Sequence, residues 1–404
     1  MIIVGAGPAG IACALSLIRT KLSVLIVEKE LFPRDKICGD ALSADVINQI
    51  RTFFPEIYPE FIKLRSAAPS YGIKFSSPND DSLEIGFSKH MDAAPGYICK
   101  RIDFDNFLFQ KLTDLAPDRF TIQEGFKIDE ITHTDDFVSI KGEGETYTAK
   151  IIVGCDGMKS LVKKTFQGST IEKKHYCAGI RAYMKGVDNI SNGNFIELHF
   201  ISDVLPGYFW IFPLPDNTAN VGLGLLSNEI SERKLNLKEI FNEIINFHPE
   251  ISQRFKNAEM IDNIKGFGLP LGSKKRKLSG HRYLLTGDAA GLIDPFTGEG
   301  IGNALRSGRF AADHIQKCFV KNDFSGKFNL EYDQYVYQKM WRELRISRGI
   351  QKLLNYPFLF NYVIKKAQKN PSLKKLLTSM LDDVDIKEEL LSIKFYVKLL
   401  FNKY

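Results

Sequence analysis

Ile2-Ile3-Val4-Gly5-Ala6-Gly7-Pro8-Ala9-Gly10, followed by an apolar stretch to Thr20 and then by Leu22 to Val27 with Glu28 behind it, is the segment that decides the fold. A short apolar run, a glycine turn, a helical stretch and a second apolar run read as strand, turn, helix, strand, which is one βαβ unit. In Gly5-x-Gly7-x-x-Gly10 the first glycine permits the tight turn. The second lets a pyrophosphate approach the backbone, and the third allows the helix to pack closely on the sheet. The free amides and dipole of that helix N-terminus favour negative charge. Eighteen residues after Gly10, Glu28 closes the second strand, where a carboxylate accepts hydrogen bonds from ribose hydroxyls and opposes a 2′-phosphate. The first strand is short, so a few residues ahead of Met1 are an expectation of the pattern.

Working outward, the chain has 404 residues, 44% of them hydrophobic and 25% charged, which suits a globular enzyme of more than one structural unit and excludes wholesale disorder or a fibrous fold. Lys and Arg number 54 against 48 Asp and Glu, a surplus too small to argue for nucleic acid but compatible with an anionic ligand or membrane surface. Six cysteines, Cys13, Cys38, Cys99, Cys155, Cys177 and Cys318, are scattered without a C-x-x-C pair, so no metal site, iron-sulfur relay or disulfide framework is expected. A reducing, cytoplasmic setting fits them. The apolar opening lacks a basic leader and carries Gly5, Gly7, Pro8 and Gly10, unlike a signal peptide, and no other run approaches the roughly 20 apolar residues of a spanning helix.

Along the rest of the chain, Ser76 to Asp81 marks a tight turn between short strands, and Arg101 to Leu115 reads as a helix. Phe120 to Lys150 alternates like a β-meander with Gly142 and Gly144 at a turn. Strand signals dominate from Tyr176 to Leu226, most clearly at Phe195 to Phe200, Tyr208 to Pro213 and Ala219 to Leu225. Leu235 to Phe247 is a helix, Arg282 to Thr286 a buried strand and Gly302 to Cys318 a helix; everything beyond Leu330 reads helical, punctuated by Pro357 and Pro371.

Two later segments extend the dinucleotide signal. Leu285-Thr286-Gly287-Asp288-Ala289-Ala290-Gly291 ends a strand with a carboxylate able to hold a ribityl hydroxyl. It runs through Pro295 into Thr297-Gly298-Glu299-Gly300-Ile301-Gly302, a helix start offering amides to a phosphate or to the edge of a reduced isoalloxazine. Gly154-Cys155-Asp156-Gly157-x-x-Ser160 is a strand end turning into a helix. Any one of these could be an ordinary Asp-Gly turn; the three in this order are harder to reach by coincidence.

These motifs, with Arg101-x-x-Phe104-Asp105, Lys36-x-Cys38-Gly39-Asp40, Tyr208-x-Trp210-x-Phe212-Pro213 and Pro295-Phe296-Thr297-Gly298-Glu299-Gly300, resemble the FAD-dependent oxidoreductases of the aromatic hydroxylase fold, and within them the geranylgeranyl reductase family. The resemblance covers nearly the whole chain, including Tyr335 to Arg348. It departs at Lys163 and Lys164, where the wider family often has Arg. It implies an α/β fold: a discontinuous Rossmann-like FAD-binding domain (1–70, 96–165 and 275–330), an inserted β-rich substrate domain (71–95 and 166–274) and a C-terminal helical segment (331–404). Implied FAD contacts are Gly5, Gly7, Pro8, Ala9, Gly10, Glu28, Lys29, Cys38, Gly39, Arg101, Asp156, Gly157, Gly287, Asp288, Pro295, Gly298, Gly300 and Ile301.

The implied reaction is reduction of prenyl-chain double bonds, with hydride to one carbon and a proton to the other. An isolated alkene accepts hydride poorly, so the site must exclude water, align the bond and supply an acid. Cys38, or a water it positions, is the candidate acid, with Asp40 orienting the loop; a neighbouring ammonium at Lys36 would favour a reactive thiol, against the plainer reading of a small packed residue. Tyr208, Trp210 and Phe212 alternate along a strand and so share one face, an apolar wall beside the flavin. Trp341, Arg342, Arg345 and Arg348 read as ordinary helix surface and packing. No second glycine fingerprint opens a βαβ unit. Gly222-Leu223-Gly224 lies on a strand as a sheet glycine pair, so the reductant is a transient visitor, NAD(P)H or a protein electron donor.

The runner-up is a monooxygenase acting on an aromatic or lipid substrate. A halogenase fits less well, since the motif here is Tyr208-x-Trp210-x-Phe212-Pro213 rather than Trp-x-Trp-x-Ile-Pro. A flavin-binding carrier without turnover fits poorly with an intact Cys38-Gly39-Asp40. Finally, Leu390, Ile393, Val397, Leu400 and Tyr404 form a helical stripe with Lys394, Lys398 and Lys403 largely elsewhere, and Gln351 to Tyr404 holds ten lysines against five acidic residues. The stripe either packs on the body or makes peripheral contact with the inner membrane surface.

Overall fold

The computed structural model describes residues 1–86, 96–116, 119–168, 170–382 and 390–400. Its first sheet runs in the order Ser279–Gly280, Tyr283–Leu285, Ile152–Gly154, Ile2–Val4, Leu25–Val27, Thr121–Gln123, parallel throughout except for the first pair. Ile3 sits between Val153 and Ile26 in register. Every residue of the four central strands is buried, as a parallel sheet covered on both faces requires. The glycine turn leads into the helix Pro8–Leu17, whose first residue is a proline that lacks the amide a first turn leaves unpaired.

One expectation fails at the edge of this sheet. Thr121–Gln123 is not part of the meander but pairs in parallel with Leu25–Val27. Only Glu130–His133, Val138–Gly142 and Glu145–Ala149 form the antiparallel meander. Thr121–Gln123 alternates polar and apolar residues as the meander strands do, so periodicity could not separate them.

The second sheet is mixed. Tyr176–Lys185, Thr218–Leu226, Tyr208–Leu214 and Ile196–His199 run antiparallel in that order. Gly72–Ser76 then joins Ile196–His199 in parallel, and Ser82–Gly86 folds back on it through the turn at Ser77 to Asp81. A third small sheet, Ala41–Leu42, Gly96–Cys99 and Ala67–Ser70, begins directly after the loop that contains Cys38. The helix Ala44–Phe53 follows, capped by Ser43.

The long helix Gly326–Leu353 packs on the first sheet, where the buried Tyr332 hydroxyl donates to Leu285 O at 2.8 Å. Beyond it, Pro357–Lys369 and Pro371–Asp382 lie across the hairpin Gly72 to Gly86. Phe395 and Leu399, on Ile393–Leu400, are buried in the same apolar cluster, and Leu390 packs against it. The rest of the expected C-terminal stripe, with Lys387, Lys403 and Tyr404, lies outside the described residues or side chains.

Candidate active site

One continuous cavity of about 940 Å³ runs from the glycine turn, between the two large sheets, to the C-terminal helices. Its first arm is polar. Gly5 (φ 95°) has no room for a side chain, because a Cβ would stand 2.5 Å from Cys155 O, and a Cβ on Gly10 would strike Gly5 O. Gly7 differs: the nearest atom to its would-be Cβ is Arg34 Nη2 at 3.6 Å, so this glycine opens on the cavity beside a cation. The Glu28 carboxylate accepts from Ala6 N (3.0 Å) and Glu30 N (3.2 Å), and Phe126, Lys127 and Ile128 line the same cavity. Asp156 Oδ2 accepts the Leu161 and Val162 amides, while Asp156 Oδ1 is buried without a partner on the cavity wall. An open glycine cradle beside a guanidinium, a carboxylate at the end of the second strand and an orphan acceptor fit a flavin dinucleotide.

Of the residues expected to touch FAD, all line the cavity except Gly10, which packs behind the turn, and Pro295, whose carbonyl accepts from Gln351 Nε2 at 2.6 Å. Asp288 does line it and pairs with Lys36 at 3.2 Å. Lys36 is thus engaged by Asp288, and the cation that meets the Cys38 thiol is Arg101. This corrects the sequence reading. Arg101 begins the helix Arg101–Leu115 and donates its amide to Asp40 Oδ1, so its side chain is delivered under the loop.

Arg101 is buried. Burial alone would weaken its charge, but Asp105, held at 2.6 and 2.7 Å, and Cys38 outweigh it and raise its pKa. Asp105 is also gripped by Arg34 at 2.7 Å, and these two guanidinium groups overcome burial to hold its carboxyl below the usual range. Arg34 in turn reaches Glu28 at 3.4 Å. A charged chain thus runs from the glycine turn through Glu28, Arg34, Asp105 and Arg101 to the Cys38 thiol.

Asp40 is fully buried, with φ 69°. Its Oδ2 accepts from Tyr183 Oη and Asn220 Nδ2, both at 2.8 Å. Burial pushes its pKa up to about 6, against these donors, Arg181 and the Arg101 amide. Asn220 uses both of its donors, giving the second to Cys38 O at 2.8 Å, and its Oδ1 accepts the Trp210 indole N–H at 2.9 Å. Sequence reading missed Asn220 and Tyr183, because a polar residue alternating on a buried strand carries no motif of its own.

The second arm is apolar. Tyr208, Trp210 and Phe212 line it together, with Trp210 edge-on to Tyr208 (6.1 Å) and stacked on Phe212 (5.9 Å). A Cβ at Gly222 would collide with the Trp210 indole, so the strand glycine makes room for that ring; one at Gly39 would meet Phe212 Cε2 at 2.9 Å. The Tyr208 hydroxyl donates to Thr297 O, tying the wall to the Pro295 loop. Ile73, Ile85, Leu198, Leu354, Phe360, Val363 and Leu377 continue the arm to the C-terminal helices. Glu299 stands where the arms meet the rim, near Asp45 and Asp294. Burial and those carboxylates push its pKa up to about 8, although Gly302 N donates to it at 2.6 Å.

Residues 176–267 match the family model for the geranylgeranyl reductase catalytic domain. A digeranylgeranylglycerophospholipid reductase of Methanosphaera stadtmanae is 30% identical over 339 residues, covering 82% of this chain and 81% of the relative. Among solved structures, a geranylgeranyl bacteriochlorophyll reductase-like protein from Thermoplasma acidophilum superposes with a TM-score of 0.75 at 22% identity, over 100% of this chain and 96% of that one. The halogenase PltM, solved with FAD, gives 0.72 at 17% identity, over 98% and 86%. The two structures share the fold with this chain, and the fold alone does not choose between reduction and halogenation.

Proposed function

The chain belongs to the geranylgeranyl reductase family and is an FAD-dependent oxidoreductase acting on carbon–carbon double bonds of a prenyl lipid; we propose that the lipid carries two geranylgeranyl chains on a glycerophospholipid, as the name of the Methanosphaera relative states for that protein. The observation that carries this reading is the single cavity, polar along the glycine turn and apolar along the aromatic strand, with Cys38 at the junction.

When bound, reduced FAD supplies a hydride to one alkene carbon. The chain's own part is the rest. The aromatic wall and the aliphatic arm hold the prenyl chain by shape and exclude water, since an alkene offers nothing to hydrogen-bond. The Cys38 thiol, or a water it holds, gives the proton to the second carbon, with the buried Arg101 guanidinium beside it. Asp40, Asn220 and Tyr183 fix the loop that carries the thiol. Gly7, Glu28, Arg34, Asp156 and Asp288 would hold the cofactor, and a transient donor, NAD(P)H or a reducing protein, would supply its electrons. Among the described residues no helix is long and apolar enough to cross a membrane; we place the protein in the cytoplasm against the inner membrane surface.

The test is anaerobic. Dithionite-reduced protein is mixed with a geranylgeranyl glycerolipid and the product mass read, then the mixture is repeated with oxygen. A gain of two hydrogens per reduced bond is expected; a gain of oxygen would make the protein a monooxygenase instead, and an unchanged lipid in both mixtures would refute both.

A further inference from the structure

We propose that the turn at Tyr356, Pro357 and Phe358 docks this protein on an anionic lipid bilayer, beside the apolar arm that receives the prenyl chain. The inference rests on the prenyl-lipid reading above and deepens it by naming the membrane-facing surface. This turn has two sides. Leu354, Leu359 and Phe360 face inward and line the arm. Tyr356 and Phe358, between them in sequence, face out, 55% and 66% exposed, with ring centroids 6.4 Å apart. Other large apolar side chains are also exposed, among them Phe247 and Val320, but no sequence neighbour of either lines the cavity, and scattered exposed apolar residues need no explanation.

Charge decides what the exposed pair meets. Residues 344–382, which end the long helix, form this turn and build the next two helices, contain eight Lys and Arg against one acid, Asp382. At the average of the whole chain, four or five acids would fall in a stretch of that length. Lys352 is exposed one helical turn before Tyr356, and Lys365 and Lys369 are exposed along the helix that follows. Arg348, Lys352 and Tyr356 line one shallow hollow with Lys174, opposite a single carboxylate, Glu229. Aromatic rings with one polar edge settle at the level of lipid headgroups, and lysines beside them keep their ammonium groups among the phosphates. A protein partner would need acids complementary to this surface; an anionic bilayer supplies them everywhere, along with the substrate.

The experiment is flotation of the full-length FAD-loaded protein with vesicles of phosphatidylcholine, with and without phosphatidylglycerol. Wild type is expected to bind the anionic vesicles and to be released by salt. Tyr356→Ser with Phe358→Ser should cut the bound fraction about tenfold or more, and each of Lys352→Glu and Lys365→Glu should weaken binding about fivefold or more, the effect of losing roughly one basic residue at such a surface. None of these side chains lines the cavity, so FAD retention and turnover of a detergent-dispersed prenyl substrate should match wild type. Binding that ignores the aromatic pair, or that is equal on neutral vesicles, overturns the proposal, as does failure to bind vesicles because a protein or a second copy covers the face. If the dispersed substrate is not reduced while vesicle binding behaves as expected, the functional reading fails and the docking surface stands.

Discussion

Replacing Asn220 by Ala should uncouple the two walls of the cavity. Asn220 is 0% exposed and joins three groups: Cys38 O and Asp40 Oδ2 on the loop side, and the Trp210 indole N–H on the strand side. Losing the bond to the carbonyl costs about 1 kcal/mol and the bond to the carboxylate about 1.5–3 kcal/mol; leaving the indole donor buried without an acceptor adds about 1–3 kcal/mol. Together the variant should lose about 3.5–7 kcal/mol, measurable by urea unfolding. Trp210→Phe removes the orphan donor, so the double variant should be more stable than the sum of the singles predicts by about 1–2 kcal/mol. The chain has two tryptophans, Trp210 and Trp341, so in a Trp341→Phe background fluorescence reports Trp210 alone, and Asn220→Ala should shift its emission. Cys38 should react faster with a thiol reagent as the loop loosens. A stability loss under about 0.5 kcal/mol, with no coupling to Trp210, would refute the reasoning.

Gly7→Val places a branched side chain in the space beside Arg34, and should weaken FAD binding at least about tenfold in a fluorescence titration, with an unfolding midpoint close to that of the wild-type apoprotein; unchanged affinity would remove Gly7 from the cofactor cradle. Cys38→Ser is near-isosteric and should retain FAD while slowing alkene reduction about tenfold or more, because a hydroxyl is a much weaker acid; wild-type turnover and product distribution under saturating reductant would return Cys38 to a packing role. The Glu299 carboxyl, raised from 4.5 to about 8, binds its proton more tightly folded than unfolded, so its stabilising effect is complete below about pH 4.5 and is lost as pH rises through about 8. Glu299→Gln keeps an acceptor for the Gly302 amide, so its thermal midpoint should gain on wild type steadily across that window; a constant difference from pH 5 to 8 would show that Glu299 is ionised throughout.

The parts of the fold legible in the sequence are those whose residues are dictated by local geometry. Gly5 and Gly10 have no space for a side chain, and Tyr208, Trp210 and Phe212 share a face because strands alternate, so spacing alone reported them. What was not legible depends on chain segments far apart in sequence. Asn220 meets Asp40 across 180 residues, and nothing near either position announces the pairing. The cation at Cys38 was misassigned for the same reason: Lys36 is adjacent in sequence, but Arg101 is adjacent in space once its amide caps onto Asp40. Thr121–Gln123 was placed in the wrong sheet because a three-residue edge strand carries too little pattern to name its partner.

The position of Arg101 also explains why thiol and cofactor belong to one unit. An alkene gives the protein no polar handle, so hydride and proton must arrive at carbons held only by shape, and the thiol must stand still relative to whatever occupies the glycine cradle. The chain meets this with buried charge rather than packing alone. Glu28 takes the Ala6 amide of the turn, Arg34 joins Glu28 to Asp105, and Asp105 is shared with Arg101 beneath Cys38. Such a chain is a weak source of net stability, because desolvating each charge offsets much of the attraction. Its value is directional: removing any one member leaves a buried partner uncompensated, so the alternatives to this single arrangement are strongly disfavoured. The same holds on the other side, where Asp40 receives three donors at once and is held with its neighbour Gly39 against Phe212. Cys38 lies between these two networks, one leading to the cofactor cradle and the other to the aromatic wall, so the proton donor proposed above would be held in place without help from the substrate.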